Sequence, residues 1–179
     1  MKLKEYAPAL AMVLLAALVL WIANFSLRSV QQTNAQRELQ RRLQLLLPGS
    51  TVFTAKAGDG HLVQALYEGA TGTVARVRCP GYVDDVELLV AVGAEGTVTG
   101  LAVTDANETL GLGSDILFDH EFLAQFLTTD GKAEVGEEIR PVSGATVSSR
   151  AVSRCVSAAV SAVTGEDVPS QATPWGDAP

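Results

Sequence analysis

Hydrophobic positions divide the chain into a long apolar run, a polar helix-forming stretch and a region of short alternating segments. The apolar run covers residues 6–27, in which Tyr6 carries the only ionisable side chain. As a helix it would span roughly 33 Å, enough to cross a hydrocarbon core of about 30 Å. We therefore expect residues 1–27 to be an N-terminal tail and transmembrane anchor. A cleaved signal peptide is the alternative, but the run is too long and no small-x-small cleavage site follows it.

Residues 28–49 are polar and then Leu-rich, and they contain no Gly or Pro before Pro48-Gly49. This pattern predicts that the helix continues as a juxtamembrane stalk, although a simple solvated connector is equally compatible with it. Basic residues lie on both sides of the apolar run, so the positive-inside rule does not decide its orientation. They are Lys2 and Lys4 before it, and Arg28, Arg37, Arg41 and Arg42 after it.

Short segments punctuated by Gly replace the long runs from residue 50 onward. Strand-like patterns occupy residues 63–69, 72–79, 86–93 and 97–105, and Ala94-Glu95-Gly96 is a hairpin signal. Helical spacing follows over 116–127 and, most clearly, from Val147 to a C-cap at Gly165. Residues 50–165 are therefore expected to form an α+β domain with a small antiparallel sheet. Residues 166–179 are acidic and rich in Pro and Gly, which predicts a disordered tail.

Charge is distributed unevenly along the chain. The net charge of −7 comprises +4 in residues 1–42 and −11 in residues 43–179. A strongly acidic domain repels a nucleic-acid backbone, so we expect no nucleic-acid partner. The two histidines and two cysteines lack metal-ligand spacing, so no metal site is predicted. Cys79 and Cys155 are either a disulfide or small core residues, and the apolar stripe around Cys155 favours the core.

Candidate chemistry lies where residues 141–146 lead into the last helix. Gly144 and Ala145 leave room for a ligand to approach the backbone, and Thr146, Ser148 and Ser149 add hydroxyl groups. Unpaired N–H groups and the positive end of the helix dipole would make this turn a seat for an anion. An ordinary N-cap by a Ser or Thr side chain is the alternative.

Several motifs in this region occur in the order and spacing of a known family. They are Gly81-Tyr82, Glu108-Thr109 followed by Gly111-Leu112-Gly113, Phe122 and Phe126, Ser143-Gly144-Ala145-Thr146, and Ser148 to Val152. In these motifs the chain resembles the FMN-binding domain of the G subunit of the Rnf ion-translocating electron-transport complex. That family is related to the C subunit of the sodium-pumping NADH:quinone reductase.

The resemblance implies a covalent flavin. FMN would be joined to Thr146 by a phosphoester bond that an ApbE-like flavin transferase makes from FAD. Its phosphate would lie against the turn and the start of the helix, and the 108–111 loop would contact the isoalloxazine ring; that loop is otherwise a plain surface turn. The implied FMN-binding residues are Ser143, Gly144, Ala145, Thr146, Val147, Ser148, Glu108, Thr109, Leu110 and Gly111.

Two positions depart from the family pattern. Arg140 stands where the family often has an acidic residue, six positions before the modified Thr, although Glu137 and Glu138 are close by. Leu110 replaces a Pro of the family's loop. The first change affects the neighbourhood that the transferase would recognise, and the second would loosen the loop while keeping its glycines.

At the level of function, the resemblance implies an electron-transfer subunit that is a non-autonomous redox part of an ion-translocating oxidoreductase and has no catalytic residue of its own. Its complex would couple electron transfer between ferredoxin and NAD to ion translocation. The implied partners are the other subunits of a membrane Rnf-type complex, the transferase and membrane lipid. The implied location is the cell membrane, with the domain on the extracytoplasmic side. The alternatives are the C subunit of the quinone-reducing pump and an anchored ligand-binding or structural domain without a redox role.

Overall fold

The protein is described by a computed structural model covering residues 3–106 and 119–168. Its first element is helix α1, Leu3–Leu46, which is 44 residues long. The helix ends just before Pro48 and Gly49, where Gly49 takes a left-handed φ of +97° that stops helical continuation. The apolar run and most of the segment after it thus lie in one helix, and the role of that segment as a juxtamembrane stalk stays a prediction.

The chain divides into two compact units, one ending at Arg42 and the other beginning at Leu43. Apolar side chains on the helix of the first unit are exposed, among them Met12, Leu15 and Trp21. Within residues 3–106 and 119–168, no helix combines the length and the apolar character that a membrane crossing requires. The transmembrane anchor remains a prediction.

A five-stranded antiparallel sheet forms the centre of the second unit. Its strands follow one another as a meander in the order β1-β2-β3-β4-β5. They are β1 Thr54–Ala57, β2 Val63–Glu68, β3 Gly72–Pro80, β4 Asp85–Gly93 and β5 Val98–Ala106. The predicted α+β class and its four strands are confirmed. The edge strand β1 was not predicted, because all four of its residues are exposed and give no alternating apolar signal.

Both faces of the sheet are covered, which explains why Val86 to Val92 on β4 are all buried. On one face, Val86, Leu88, Val90 and Val92 join the main hydrophobic core. On the other face, the end of α1 supplies buried Leu43 and Leu47. Gly100 on β5 lies under Leu46, since a Cβ at Gly100 would meet the Leu46 Cδ2 atom at 3.0 Å. A strand buried on both sides is apolar along most of its length, and on β4 the buried exception is Glu87.

Two further helices lie among the described residues of this unit. Helix α2, His120–Ala124, is capped by Asp119, whose carboxylate accepts a 2.8 Å hydrogen bond from the Glu121 N–H. It is shorter than the predicted 116–127 segment, of which residues 116–118 lie outside the described part of the chain. Helix α3, Thr146–Thr164, ends at Gly165 in the left-handed conformation, as predicted. Its buried stripe packs on β2, β3 and β4.

A buried carboxylate joins three strands on the face opposite α3. Glu87, only 4% exposed, accepts hydrogen bonds from Arg76 (2.9 Å to Nε), Arg78 (3.0 Å to Nη2) and the Thr104 hydroxyl (2.9 Å). Burial raises the pKa of Glu87, but the hydrogen bonds from Thr104, Arg78 and Arg76 together outweigh it and leave the pKa below its ordinary value. The charged form is therefore the one that the fold stabilises.

We expect Glu87→Gln to lower the free energy of unfolding at pH 7 by about 1–3 kcal/mol. Because the folded-state pKa is depressed, the contribution of Glu87 is present above the unfolded-state pKa and is lost as the pH falls through the folded-state pKa. The difference between wild type and variant, measured by urea denaturation, should therefore shrink in acid. Glu68→Gln is the control: it removes an exposed ion pair with Lys56 and should cost less than about 0.5 kcal/mol. A difference that stays constant down to acid pH would contradict this account.

A second prediction concerns the close approach of Gly131 to α3. Gly131 has a φ of +87°, and a Cβ there would lie 2.7 Å from the Val160 Cβ atom. Gly131→Ala should destabilise the fold by roughly 2–4 kcal/mol, the sum of backbone strain and overpacking. Gly136→Ala separates the two effects, because Gly136 has a φ of +106° with nothing within 4 Å. Equal losses in thermal unfolding of the two variants would show that contact with Val160 contributes nothing.

Candidate functional site

A tight turn delivers the chain into the N-terminus of α3. The Ala145 N–H donates to the Val142 carbonyl at 3.1 Å, and Gly144 within the turn has a φ of +86°. Only glycine adopts this backbone conformation without steric cost. The turn therefore needs a glycine at position 144 of the Ser143-Gly144-Ala145-Thr146 motif. Its conformation lets the chain enter the helix at residues 145 and 146.

The helix begins without a side-chain cap. Ala145 is the N-cap residue, and within the described residues no side chain accepts a hydrogen bond there. The Ala145 carbonyl accepts the Ser149 N–H at 2.9 Å and the Ser149 hydroxyl at 2.9 Å, so Ser149 closes the first turn from within. An ordinary N-cap by a Ser or Thr side chain, the alternative considered from the sequence, is therefore not seen among the described residues. The first N–H groups of a helix have no intrahelical acceptor, which leaves this end suited to an anion.

The hydroxyl groups of the turn differ in their accessibility. Ser143 and Thr146 are exposed, whereas Ser148 and Ser149 are almost completely buried. Thr146 is the first residue of α3, so its exposed hydroxyl lies beside the uncapped N–H groups. An attached phosphate would therefore meet these donors without any rearrangement of the core, and the residues present fit a phosphoester of FMN.

The structure brings the predicted residues 143–148 together in one turn. Ser143, Gly144 and Thr146 form its exposed side, Ala145 is buried and Val147 is half-buried. The other predicted contacts, Glu108, Thr109, Leu110 and Gly111, lie outside the described residues. Arg140 is exposed, and its backbone is held by Gln125: the Arg140 N–H donates to Oε1 at 2.9 Å. Gln125 thus links the segment before the motif to the end of α2.

Three buried serines are spaced four residues apart on α3; the first closes its N-terminal turn, and the other two fix the helix to the segment before it. The Ser149 hydroxyl bonds the Ala145 carbonyl, the Ser153 hydroxyl donates to the Ala133 carbonyl, and the Ser157 hydroxyl donates to the Gly131 carbonyl at 2.8 Å. Gln125, Ser153 and Ser157 were not predicted from the sequence. For the two serines the missed signal was their spacing, which places them on one side of the helix with Ser149.

Acidic residues cluster in the turn that precedes the motif. Carboxylate oxygens of Glu134, Glu137 and Glu138 lie within 4.8 Å of one another. Desolvation, followed by the negative charges of Glu137 and Glu138, raises the pKa of Glu134. Three carboxylate oxygens at this spacing could ligate a cation. However, Glu137 and Glu138 are exposed to solvent, as is common for acidic groups that bind no ion. The local effect is a negative patch near Arg140.

A cavity of about 370 Å³ lies at the opposite end of α3. Its lining includes Gly72, Val92, Glu95 and Thr164. Thr164 is the last residue of α3 and Thr146 the first, so this cavity is separated from the motif by the length of the helix. It takes no part in the candidate site.

Comparison with known proteins finds a family match in the central part of the chain. Residues 81–161 match the model of the FMN-binding domain. The matched range contains β4, β5, α2, the turn and most of α3, while β1, β2 and β3 precede it. All the predicted site residues fall within the matched range, including the 108–111 loop.

Two relatives carry names that agree with the resemblance found in the sequence. The G subunit of the Na(+)-translocating ferredoxin:NAD(+) oxidoreductase complex of Acetobacterium woodii is 28% identical over 88 residues, 45% of this chain and 42% of the relative. The G subunit of the Proton-translocating ferredoxin:NAD(+) oxidoreductase complex of Clostridium ljungdahlii is 38% identical over 93 residues, 47% of this chain and 49% of the relative. The resemblance to the Rnf G subunit is confirmed. In each case the alignment spans less than half the length of the relative.

Proposed function

We propose that the chain is an electron-transfer subunit with FMN covalently bound to Thr146. The observation that carries this proposal is an exposed Thr hydroxyl at an uncapped helix N-terminus, inside a segment that matches the FMN-binding domain. The fold supplies the accessible hydroxyl and the hydrogen-bond donors. The family match supplies the identity of the ligand.

Attachment requires a second protein, because an ordinary hydroxyl is a poor nucleophile without a base. We propose an ApbE-like transferase with FAD as donor. The Thr146 oxygen forms the new bond to the FMN phosphorus, the pyrophosphate bond of FAD breaks, and AMP leaves. The Thr146 proton passes to a base of the transferase. The exposure of Thr146, and of Ser143 before it, is what allows another protein to reach this hydroxyl.

Once the ester is formed, residues of this chain would hold the phosphate. The N–H groups of Val147 and Ser148 are the donors nearest the start of α3. Arg150 is exposed and lies four residues after Thr146, on the same side of the helix, so its guanidinium can balance the phosphate charge. Glu108, Thr109, Leu110 and Gly111 remain our proposal for the contact with the ring. The bound flavin supplies the redox chemistry.

At the level of the complex, we propose a role like that in the names of the relatives. The chain would pass electrons within a membrane assembly that couples ferredoxin:NAD(+) oxidoreduction to ion translocation, with the other subunits as partners. Two sequence identities at partial length support this assignment. Since this chain would contribute one flavin step, it would be a non-autonomous part of the enzyme.

We further propose that residues 1–27 anchor the chain in the cell membrane, residues 28–49 form the stalk, and residues 50–165 form an extracytoplasmic domain followed by a tail. The support is the apolar run in the sequence together with exposed apolar side chains such as Leu14, Leu18 and Ile22. Exposed side chains of this kind on a helix require an apolar surrounding. A covalent tether suits this location, because a dissociable cofactor would be lost outside the cell.

Thr146→Val should abolish flavin attachment while leaving the fold intact. The substitution keeps the shape of the side chain and removes the hydroxyl, and a change at an exposed position typically alters stability by less than about 0.5 kcal/mol. The measurement is in-gel flavin fluorescence after denaturing electrophoresis of protein co-expressed with the transferase. Peptide mass spectrometry of residues around Thr146 identifies the attachment residue.

Two variants control for loss of structure and for a different acceptor. Thr146→Ser retains a hydroxyl and should regain part of the fluorescence, whereas Ser143→Ala removes the other exposed hydroxyl of the turn and should keep it. Fluorescence in Thr146→Val, or its loss in Ser143→Ala alone, would show that the acceptor is not Thr146. A wild-type protein that stays colourless with the transferase present would favour a structural domain.

Membrane anchoring predicts that the whole chain stays in the membrane fraction after an alkaline carbonate wash. A variant lacking residues 6–27 should appear in the soluble fraction. A reporter that is active only outside the cytoplasm, fused after residue 165, should be active in the whole chain. Extraction of the whole chain by carbonate would contradict the anchor, and an inactive reporter on a membrane-bound chain would contradict only the orientation.

A further inference from the structure

Two thiols lie in the core between β3 and α3, and the proposed function uses neither. Cys79 is the residue before the end of β3, and Cys155 is near the middle of α3. Both are free and fully buried, with 0% of their surface exposed. Their side chains belong to the same hydrophobic cluster.

Val86 on β4 brings the two cysteines together. Cys79 is the register partner of Val86 across the β3–β4 pair. The Cys155 Sγ atom lies 3.8 Å from the Val86 carbonyl oxygen, on the face of the sheet that α3 covers. Cys79 and Cys155 therefore both lie beside Val86, one on the neighbouring strand and the other on the helix that packs over the sheet.

The environment of the pair determines when it can react. Burial, together with the neighbouring Cys79 thiol, raises the pKa of the Cys155 thiol well above its ordinary value. Since the thiolate is the reactive form, and no reagent reaches a fully buried sulfur, the reduced pair is inert in the closed domain. Reaction requires α3 to be separated from the sheet, as happens while the domain folds.

We propose that Cys79 and Cys155 form an intramolecular disulfide joining β3 to α3 when the domain folds in the presence of a low-molecular-weight disulfide. One cysteine thiolate attacks the reagent, forms a mixed disulfide and releases one reagent thiol. The second cysteine thiolate then displaces the other reagent thiol and forms the Cys79–Cys155 bond. The two cysteines are oxidised, the reagent is reduced to two thiols, and the two cysteine protons are balanced by those that the reagent thiols take up.

The bond would stabilise the helix that begins at Thr146. It closes a segment of 77 residues, counted from Cys79 to Cys155, and closing a long loop lowers the entropy of the unfolded chain. We expect the oxidised protein to melt on the order of 10 °C higher than the reduced protein. This inference does not depend on the flavin, so it can fail while the proposed function stands, and the reverse also holds.

The test uses the whole chain, purified in detergent and fully reduced. It is opened in denaturant, returned to buffer with oxidised and reduced glutathione, and then alkylated under denaturing conditions. We expect no alkylated cysteine, a mass lower by two hydrogens, and a linked pair of tryptic peptides beginning at Cys79 and Cys155. Dithiothreitol should restore both thiols and lower the melting temperature. The same reagent added without denaturant should act far more slowly.

Single variants provide the matched controls. Cys79→Ala and Cys155→Ala each retain one thiol and cannot form an intramolecular bond, so neither should show a linked peptide or a rise in melting temperature after refolding with glutathione. Alkylation of both cysteines in the refolded wild type would overturn the proposal. So would one glutathione on each cysteine without a linked peptide.

Discussion

The packing of helix α3 on the sheet is the interaction on which the rest of the structure depends. The helix places Val152, Val156 and Val160 against β-strands whose facing residues are themselves completely buried. Each such side chain contributes about 1.5–3 kcal/mol through burial. Because Thr146 is the first residue of this helix, the packing that makes the core also fixes the position of the proposed attachment residue.

Hydrogen bonds from serine hydroxyls supplement the apolar packing of α3. The serine hydroxyls at 149, 153 and 157 satisfy backbone carbonyls, which prevents unpaired polar groups beside the helix. Ser149 bonds back to Ala145, and among the residues that the structure describes no side chain caps the helix end. The start of α3 is therefore uncapped, and Thr146 there is accessible. Both properties suit a covalently held anionic cofactor.

Charge separates the two faces of the sheet. The face under α3 is apolar and contains Cys79, while the opposite face carries Glu87 with Arg76 and Arg78. A buried carboxylate is tolerated there because four donor contacts compensate for its desolvation. Apolar contacts therefore hold α3, which begins at Thr146, on one face of the sheet. The ionic network links neighbouring strands on the opposite face.

The sequence by itself determined the elements with a clear hydrophobic period, which are the long helix and four strands. It also determined two local signals, the C-cap at Gly165 and the motif that ends at Thr146. These signals are local, since apolar spacing and turn residues act within a few positions of the chain. Only the tertiary structure decided that β1 pairs at the edge, that Ser148 and Ser149 are buried while Thr146 is exposed, and that Cys79 and Cys155 share one buried cluster. These features arise between residues far apart in sequence, where register and packing decide which side of a helix or strand is covered.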